Sequence, residues 1–513
     1  MMKPVPDAAI PRPGQRRGWM LFGVFLLWLV FFVLFFARYY DGDALKYCVW
    51  DGRGYRWGTV NHLLTQFWFE SWWRMVSWLA DDEFTNRVAW LAAFNHVAGA
   101  ACLTLVVEIA YVRTKSWSAS LLTGLLLGVT GAFFYHAVQT TEPMVALLWF
   151  LIAWRLLATE GTIAGWRVVA AAVAYALSVA SYQSFFLGGF GLLILAWTGY
   201  RNGLLWMVVS FLAGAAIFAT AAVADGATDT GEVVRYLTQK PDGAYWGFFE
   251  VKSFPGLVIG LCHAVWPLFG EDWPGLVRGF TLLPPLHVLK FFGQVLLIVI
   301  LVAMGLFYVV RQPLNRFTCA ALAVFLCGLF APFYLDRYYY KLWLLPLAAL
   351  VLVLAQLLVG SPVASRFALV VATLVFAYNM PRVYYKYHRA DNPQAATLIN
   401  LERCLTGKDL LVCDGWDVSV VYTAKYPSRP VYRLIFESPE VGGLQERIAE
   451  VRRQKGRVFF LGLLEMTPAR WALTELPRRG RMSYSALDAW REQAKLVWRG
   501  SAFGGTEDLY VLP

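Results

Sequence analysis

Charge is scarce in this chain. Asp, Glu, Lys and Arg make up 15% of its 513 residues, against 58% hydrophobic residues and a mean hydropathy of +0.51. No water-soluble core absorbs that much apolar surface, so a purely soluble globular protein is excluded and most of the surface must face lipid. Cysteine is scarce too, and none of the seven falls in a Cys-x-x-Cys spacing, which excludes the common structural zinc sites. Cys102, Cys262, Cys319 and Cys327 lie in apolar stretches and read as packing residues. Cys404 and Cys413 lie near the C-terminus, where a disulfide between them is chemically open. No Gly-x-Gly-x-x-Gly follows a strand pattern and no P-loop is present, so no nucleotide site is assigned. The net charge of +11 comes from basic residues scattered between apolar runs, not gathered into a stripe. That distribution speaks against nucleic acid and for the positive-inside bias of membrane proteins.

What the chain has instead is a series of apolar windows. The first, Trp19 to Ala37, follows Arg12, Arg16 and Arg17. It is longer than a signal-peptide core and lacks a small-residue cleavage site, so it reads as a retained span behind a cytoplasmic tail at 1–18. Windows at 88–111, 118–136, 143–157, 167–182, 184–199, 204–223, 288–310, 316–334, 340–359 and 366–384 bring the total to about eleven spans. Alternation then puts Arg113, Lys115, Arg155, Arg167, Arg201, Arg311, Arg316 and Arg366 on the cytoplasmic side. Asp41, Asp43, Asp81, Asp82, Glu83, Glu142, Asp225, Glu271, Asp272 and Asp336 collect on the other face. The expected fold class is a polytopic α-helical membrane protein whose membrane part covers 19–387. Its two long outer loops are 38–87 and 224–287.

Within the first loop, Asn61–Ala80 has helical periodicity, with Leu64, Trp68, Trp72, Met75 and Leu79 on one stripe. This predicts an interfacial helix with its tryptophans toward acyl chains. Phe254 to Gly270 is apolar but broken by Pro255 and Pro267, and reads as re-entrant or interfacial. After Tyr387 the composition shifts. Strand-like runs at 409–413, 431–435, 458–461, 496–498 and 508–512 alternate with helical patterns, which predicts a soluble α/β domain at 388–513 with a largely parallel sheet. Asp414 and Asp417 follow its first strand, where turn and helix-cap roles are the ordinary reading and a ligand site the special one.

Ionisable residues inside the spans are few: His96, Glu108 and His136. Ion-coupled transport usually needs more of them, and broken spans besides. Carboxylates gather instead at the outer interface, in three clusters. Asp41-Gly42-Asp43 follows the first span, Thr140-Thr141-Glu142-Pro143 opens the fourth, and Asp336-Arg337-Tyr338-Tyr339-Tyr340-Lys341 precedes a Leu344-Leu345-Pro346 run. Each alone is most simply a solvated loop.

In order and placement the three clusters resemble the GT-C superfamily, which includes protein O-mannosyltransferases and the lipid A aminoarabinose transferase. The resemblance covers about residues 19–385. The first motif commonly reads Asp-Glu; here it is Asp-Gly-Asp, so either carboxylate is the counterpart. The resemblance implies a GT-C-like membrane enzyme moving a sugar from a polyprenyl-phosphate donor, such as undecaprenyl phosphate, to an acceptor hydroxyl at the outer face. The acceptor is a glycan, a lipid or a protein. It implies Asp43 or Asp41 as general base, with inversion, and Glu142 as an orienting group. Arg337, Lys341, Tyr338, Tyr339 and His263 would face the donor phosphate, with Lys240, Tyr182 and Gln183 as weaker candidates. Asp41, Asp43 and Glu142 also carry the hard oxygens that a divalent cation (Mg2+ or Mn2+) prefers. The implied location is a bacterial inner membrane, with the C-terminal domain periplasmic. Two other readings remain: a flippase or transporter of lipid-linked sugars, and a polysaccharide polymerase or ligase. The latter usually relies on arginines in a large outer loop, and the loop at 224–287 holds only Arg235 and Arg278.

Overall fold

A computed structural model describes residues 13–37, 63–79, 84–159, 161–224, 226–238, 254–266, 285–311, 315–334, 340–388, 393–414, 418–434, 441–471, 483–502 and 505–512. The chain is mostly helical, and among the described residues five helices are long and apolar enough to cross a membrane, or six if the bent pair Trp117–Gly128 and Gly131–Val138 counts as one span. They include Arg87–Thr114, Tyr200–Ala224 and Pro362–Tyr384. The protein is therefore an integral membrane protein.

Helix ends fall where the sequence supplies caps. Ser116, Thr130, Asn315 and Ser361 each accept a hydrogen bond from the backbone N–H three residues on, satisfying one of the donors that a helix start leaves open. Pro143 and Pro362 occupy first turns, where a missing N–H costs nothing. The 118–136 window is not one straight element. Trp117–Gly128 and Gly131–Val138 are bent 73° from each other at Val129 and Thr130. Leu344–Gly360 is apolar all round and buried along almost its whole length, so it stands at the centre of the bundle. Tyr200–Ala224 exposes Phe211 and Leu212 and lies at the rim. Phe254–Val265 has 12 residues, a rise of about 18 Å, too short to cross the ~30 Å hydrocarbon layer.

The Thr65–Val76 helix corrects one expectation. Leu64 is buried, Trp68 Nε1 donates to Ser181 Oγ at 3.0 Å, and Trp72 Nε1 donates to the Trp90 carbonyl at 2.8 Å. Those tryptophans face neighbouring helices, because an indole N–H needs an acceptor that acyl chains lack. Phe67, Met75, Trp78 and Leu79 are the exposed apolar residues.

The C-terminal segment holds β1 (Leu410–Cys413), β2 (Val431–Arg433), β3 (Val458–Leu461), β4 (Lys495–Trp498), β5 (Ser501–Ala502), β6 (Gly505–Thr506) and β7 (Leu509–Leu512). The main sheet runs β2-β1-β3-β7-β4. β1 is parallel to both β2 and β3, whereas β7 is antiparallel to β3 and β4, so the sheet is mixed, not largely parallel. The link from β4 to β7 is the short β5–β6 hairpin, which leaves no room for the crossover that a parallel pair requires. Strand alternation feeds both faces. Leu410, Val412, Val458 and Phe460 pack on the Val441–Arg453 and Tyr484–Arg491 helices. Leu411, Cys413, Phe459 and Leu461 pack toward Leu401 and Tyr422. Cys404 and Cys413 are not joined by a disulfide: Cys404 ends a helix, while Cys413 is buried in β1 with Sγ 3.9 Å from the Tyr432 carbonyl.

Candidate functional site

The site is built around the Gln139–Glu142 turn. Thr130 starts the Gly131–Val138 helix, and Pro143 starts the next one, Pro143–Leu157. Between them Gln139, Thr140, Thr141 and Glu142 are all at most 1% exposed, an unusual place for four consecutive polar residues. Their backbone is held by a residue that the sequence did not single out. Asn95, fully buried on the Phe84–Thr114 helix, donates through Nδ2 to the Gln139 carbonyl at 2.6 Å and to the Thr141 carbonyl at 2.8 Å. Both partners are acceptors, so the amide orientation is fixed by chemistry. The Thr141 N–H closes the turn onto the Gln139 carbonyl at 3.0 Å, and His136 Nδ1 meets Thr141 Oγ1 at 2.9 Å. Asn95 Oδ1 and Thr140 Oγ1 are buried without a hydrogen-bond partner among the described residues.

Glu142 itself meets Lys341. The Nζ–Oε1 distance is 2.8 Å, with 6% and 1% of the respective side chains exposed. Lys341 lies in the short Tyr340–Leu342 turn that leads into Leu344–Gly360. Two sequence candidates, 199 residues apart, thus form one buried ion pair. Glu142 also stands at the N-cap of its helix, where the dipole favours a negative charge. Removing either partner of such a pair takes away the opposite charge that a buried charge is set against, which is costly.

His263 is buried on the Phe254–Val265 helix, which packs against Gly131–Val138; that helix in turn packs against the Lys341 turn. A second polar knot lies close by. Asn379 Nδ2 donates to the Val129 carbonyl at 2.8 Å and to the Val265 carbonyl at 3.0 Å, and the Tyr384 hydroxyl donates to Val129 at 2.8 Å. It ties the helix bend, the end of the His263 helix and the end of the last apolar helix together. His388 Nδ1 meets the Phe36 carbonyl at 3.0 Å, and Phe35 packs on Tyr384 with ring centroids 6.1 Å apart. The chain that leads into Asp41-Gly42-Asp43 is therefore anchored beside this knot. Asp41, Asp43, Lys240, Arg337, Tyr338 and Tyr339 lie outside the described residues. Tyr182 is buried between the Gly165–Ser181 helix and the turn that follows, and Gln183 is exposed.

Asn95 and Asn379 were missed because a single Asn in an apolar window changes its hydropathy little. The available signal was chemical: an amide inside a membrane helix needs partners.

No protein-family model matches the sequence, and no curated protein matches it at a significant level. Solved structures do. The oligosaccharyltransferase AglB from Archaeoglobus fulgidus, in complex with an inhibitory peptide and a dolichol-phosphate, is 12% identical with a TM-score of 0.55, the match covering 96% of this chain and 74% of AglB. The oligosaccharyltransferase of the same organism tethered to an acceptor peptide gives a TM-score of 0.54 at 12% identity, over 95% of this chain and 74% of that one. ArnT from Cupriavidus metallidurans in the apo state superposes more loosely, with a TM-score of 0.46 at 12% identity over 97% and 98% of the two chains. The fold of this chain is the one that the oligosaccharyltransferase AglB adopts.

Proposed function

We propose that this protein is an integral-membrane glycosyltransferase that moves a sugar from a polyprenyl-phosphate donor to an acceptor hydroxyl at the outer face of a bacterial inner membrane. The observation that carries the reading is the buried Glu142–Lys341 pair, set on a fold shared with an enzyme that binds dolichol-phosphate. Depth supports it. Pro143–Leu157 and Leu344–Gly360 have 15 and 17 residues, rises of about 22 and 25 Å, and both begin beside the pair. Arg155 and Arg366 mark their other ends as cytoplasmic. Helices of that length reach from the inner surface to a level several Å below the outer one, given a hydrocarbon layer of about 30 Å. A cation held at that depth suits a phosphate whose polyprenyl tail remains in lipid.

In this reading the chain crosses about eleven times, counting the broken span once, with a cytoplasmic N-terminus and the α/β segment at 388–513 outside. Asp43 or Asp41 takes the proton of the acceptor hydroxyl as that oxygen bonds to the anomeric carbon. The bond from that carbon to the phosphate oxygen breaks, its electron pair leaving with the polyprenyl phosphate, and the anomeric centre inverts. Lys341 and Arg337, with Tyr338 and Tyr339, balance the charge that develops on the phosphate, and His263 lines the approach. Glu142 fixes the Lys341 ammonium and orients the acceptor.

The test is transfer by the purified chain, offered a panel of synthetic undecaprenyl-phosphate sugars with host membrane extract as acceptor. Loss of transfer in folded Asp43→Asn or Asp41→Asn protein is the expected result. Full activity in both variants and in Glu142→Gln would sink the mechanism. Movement of the donor across vesicles without covalent transfer would favour a flippase.

A further inference from the structure

The three carboxylates of the sequence motifs offered a divalent cation its ligands, Glu142 among them. The surroundings of Glu142 do not fit that role. Its Oε1 is 2.8 Å from the Lys341 ammonium, and both side chains are buried, so a second cation on this carboxylate would face an unscreened like charge. Among the neighbouring oxygens, Asn95 Oδ1 and Thr140 Oγ1 have no hydrogen-bond partner among the described residues, but the two backbone carbonyls of the turn are engaged. The Gln139 carbonyl accepts from both Asn95 Nδ2 and the Thr141 N–H, which uses its two lone pairs, and the Thr141 carbonyl accepts from Asn95 Nδ2. Mg2+ and Mn2+ need several oxygens at about 2.0–2.2 Å in near-octahedral array, and this turn points its carbonyls at an amide instead.

We infer that Lys341 is the built-in counter-cation of Glu142 and keeps divalent metal off that carboxylate, so that the protein supplies there the fixed positive charge a metal would supply. Both partners sit on rigid supports, one at the start of Pro143–Leu157 and the other in the turn before the central helix. The charge therefore needs no ion from solution to place it. Any cation bound at Asp41 and Asp43 would be held without Glu142. The inference deepens the reading of the same site, but its test is binding and not transfer, so the two fail separately.

The experiment measures Mn2+ binding to the full-length chain in nanodiscs by electron paramagnetic resonance. It compares wild type, Glu142→Gln, Lys341→Met and the double variant, each checked for folding by its melting temperature. Glu142→Gln should leave whatever Mn2+ affinity the wild type has unchanged. Lys341→Met should raise Mn2+ affinity by about tenfold or more by releasing the carboxylate, and the double variant should lose that gain. The double variant also guards against misfolding, since it removes both charges together. A loss of Mn2+ affinity of roughly tenfold or more in Glu142→Gln with Lys341 intact would overturn the inference, because even an outer-shell partner of a bound metal has an effect of that size. So would a Lys341→Met variant that gains nothing.

Discussion

Asn95 donates both hydrogens of its side-chain amide to backbone carbonyls of one turn, Gln139 at 2.6 Å and Thr141 at 2.8 Å, and so fixes the residue that precedes Glu142. Asn95→Leu preserves volume but strips two buried carbonyls of a donor, at about 1–3 kcal/mol for each group left without a partner. The Gln139 carbonyl keeps the Thr141 N–H, so the loss should fall nearer the lower bound there. Thermal unfolding in detergent should show a clear drop in Tm. Transfer should fall through kcat more than through KM, because the role of the turn in this reading is to aim Glu142. A KM effect alone would place Asn95 in substrate binding instead.

The Glu142–Lys341 pair makes a non-additive prediction. Glu142→Gln or Lys341→Met alone leaves one buried charge without its partner, at a cost of about 3–5 kcal/mol. Glu142→Gln with Lys341→Met removes both charges and should recover most of that stability while remaining inactive in transfer. Additive destabilisation in the double variant would show that the two side chains do not depend on each other.

In the C-terminal sheet, Asp409 is buried and its carboxylate accepts from Arg457 Nη2 at 2.9 Å, from the Arg457 N–H at 2.8 Å and from the Thr406 N–H at 2.8 Å. Burial raises its pKa, but the Arg457 guanidinium and these N–H donors outweigh burial and hold it below the ordinary carboxylate value. A group whose folded pKa is depressed stabilises the fold above its unfolded pKa, about 3.9, and that contribution is lost as pH falls through the folded value. Hydrogen exchange of the full chain should therefore show β1 and β3, which flank this pair, protected near neutrality and opening below about pH 4. Asp409→Asn should open the same strands at pH 7, and with that change the acid-dependent step attributable to this carboxylate should vanish.

Much of the fold was legible because apolar length is a strong signal: each of the eleven windows falls on helix. The 73° break within 118–136 was not, although Gly128 and the capping residue Thr130 marked it in hindsight. Hydrophobic periodicity also failed to tell a lipid-facing stripe from a protein-facing one, and the tryptophans at 68 and 72 were misassigned for that reason. At the site, sequence flagged Glu142 and Lys341 separately, one for orientation or metal and the other for phosphate. Their pairing across the bundle is tertiary information that no local pattern carries. The carboxylates at 41 and 43 and the Arg337–Tyr339 element rest on their sequence motifs.

At the knot, the Val129 carbonyl accepts from both Asn379 Nδ2 and the Tyr384 hydroxyl, each at 2.8 Å. Tyr384 is fully buried and lies in a π-helical turn, Met380–Tyr384, a geometry found often at functional sites. Its ring also packs on Phe134 with centroids 4.2 Å apart, so the hydroxyl and the ring act separately. Tyr384→Phe keeps the ring and removes one donor, while Val129 retains Asn379. The cost should be about 1 kcal/mol, the net contribution of an ordinary hydrogen bond. Asn379→Leu removes the second Val129 donor and also strips Val265 of its partner, so it should cost about 2–4 kcal/mol. If the knot holds the Val129 bend and the His263 helix in register, Asn379→Leu should also raise proteolysis within 254–266 in vesicles, and Tyr384→Phe should not. Equal effects from the two substitutions would mean that the Val129 carbonyl alone matters, and that the Asn379 bridge to Val265 does not hold the His263 helix.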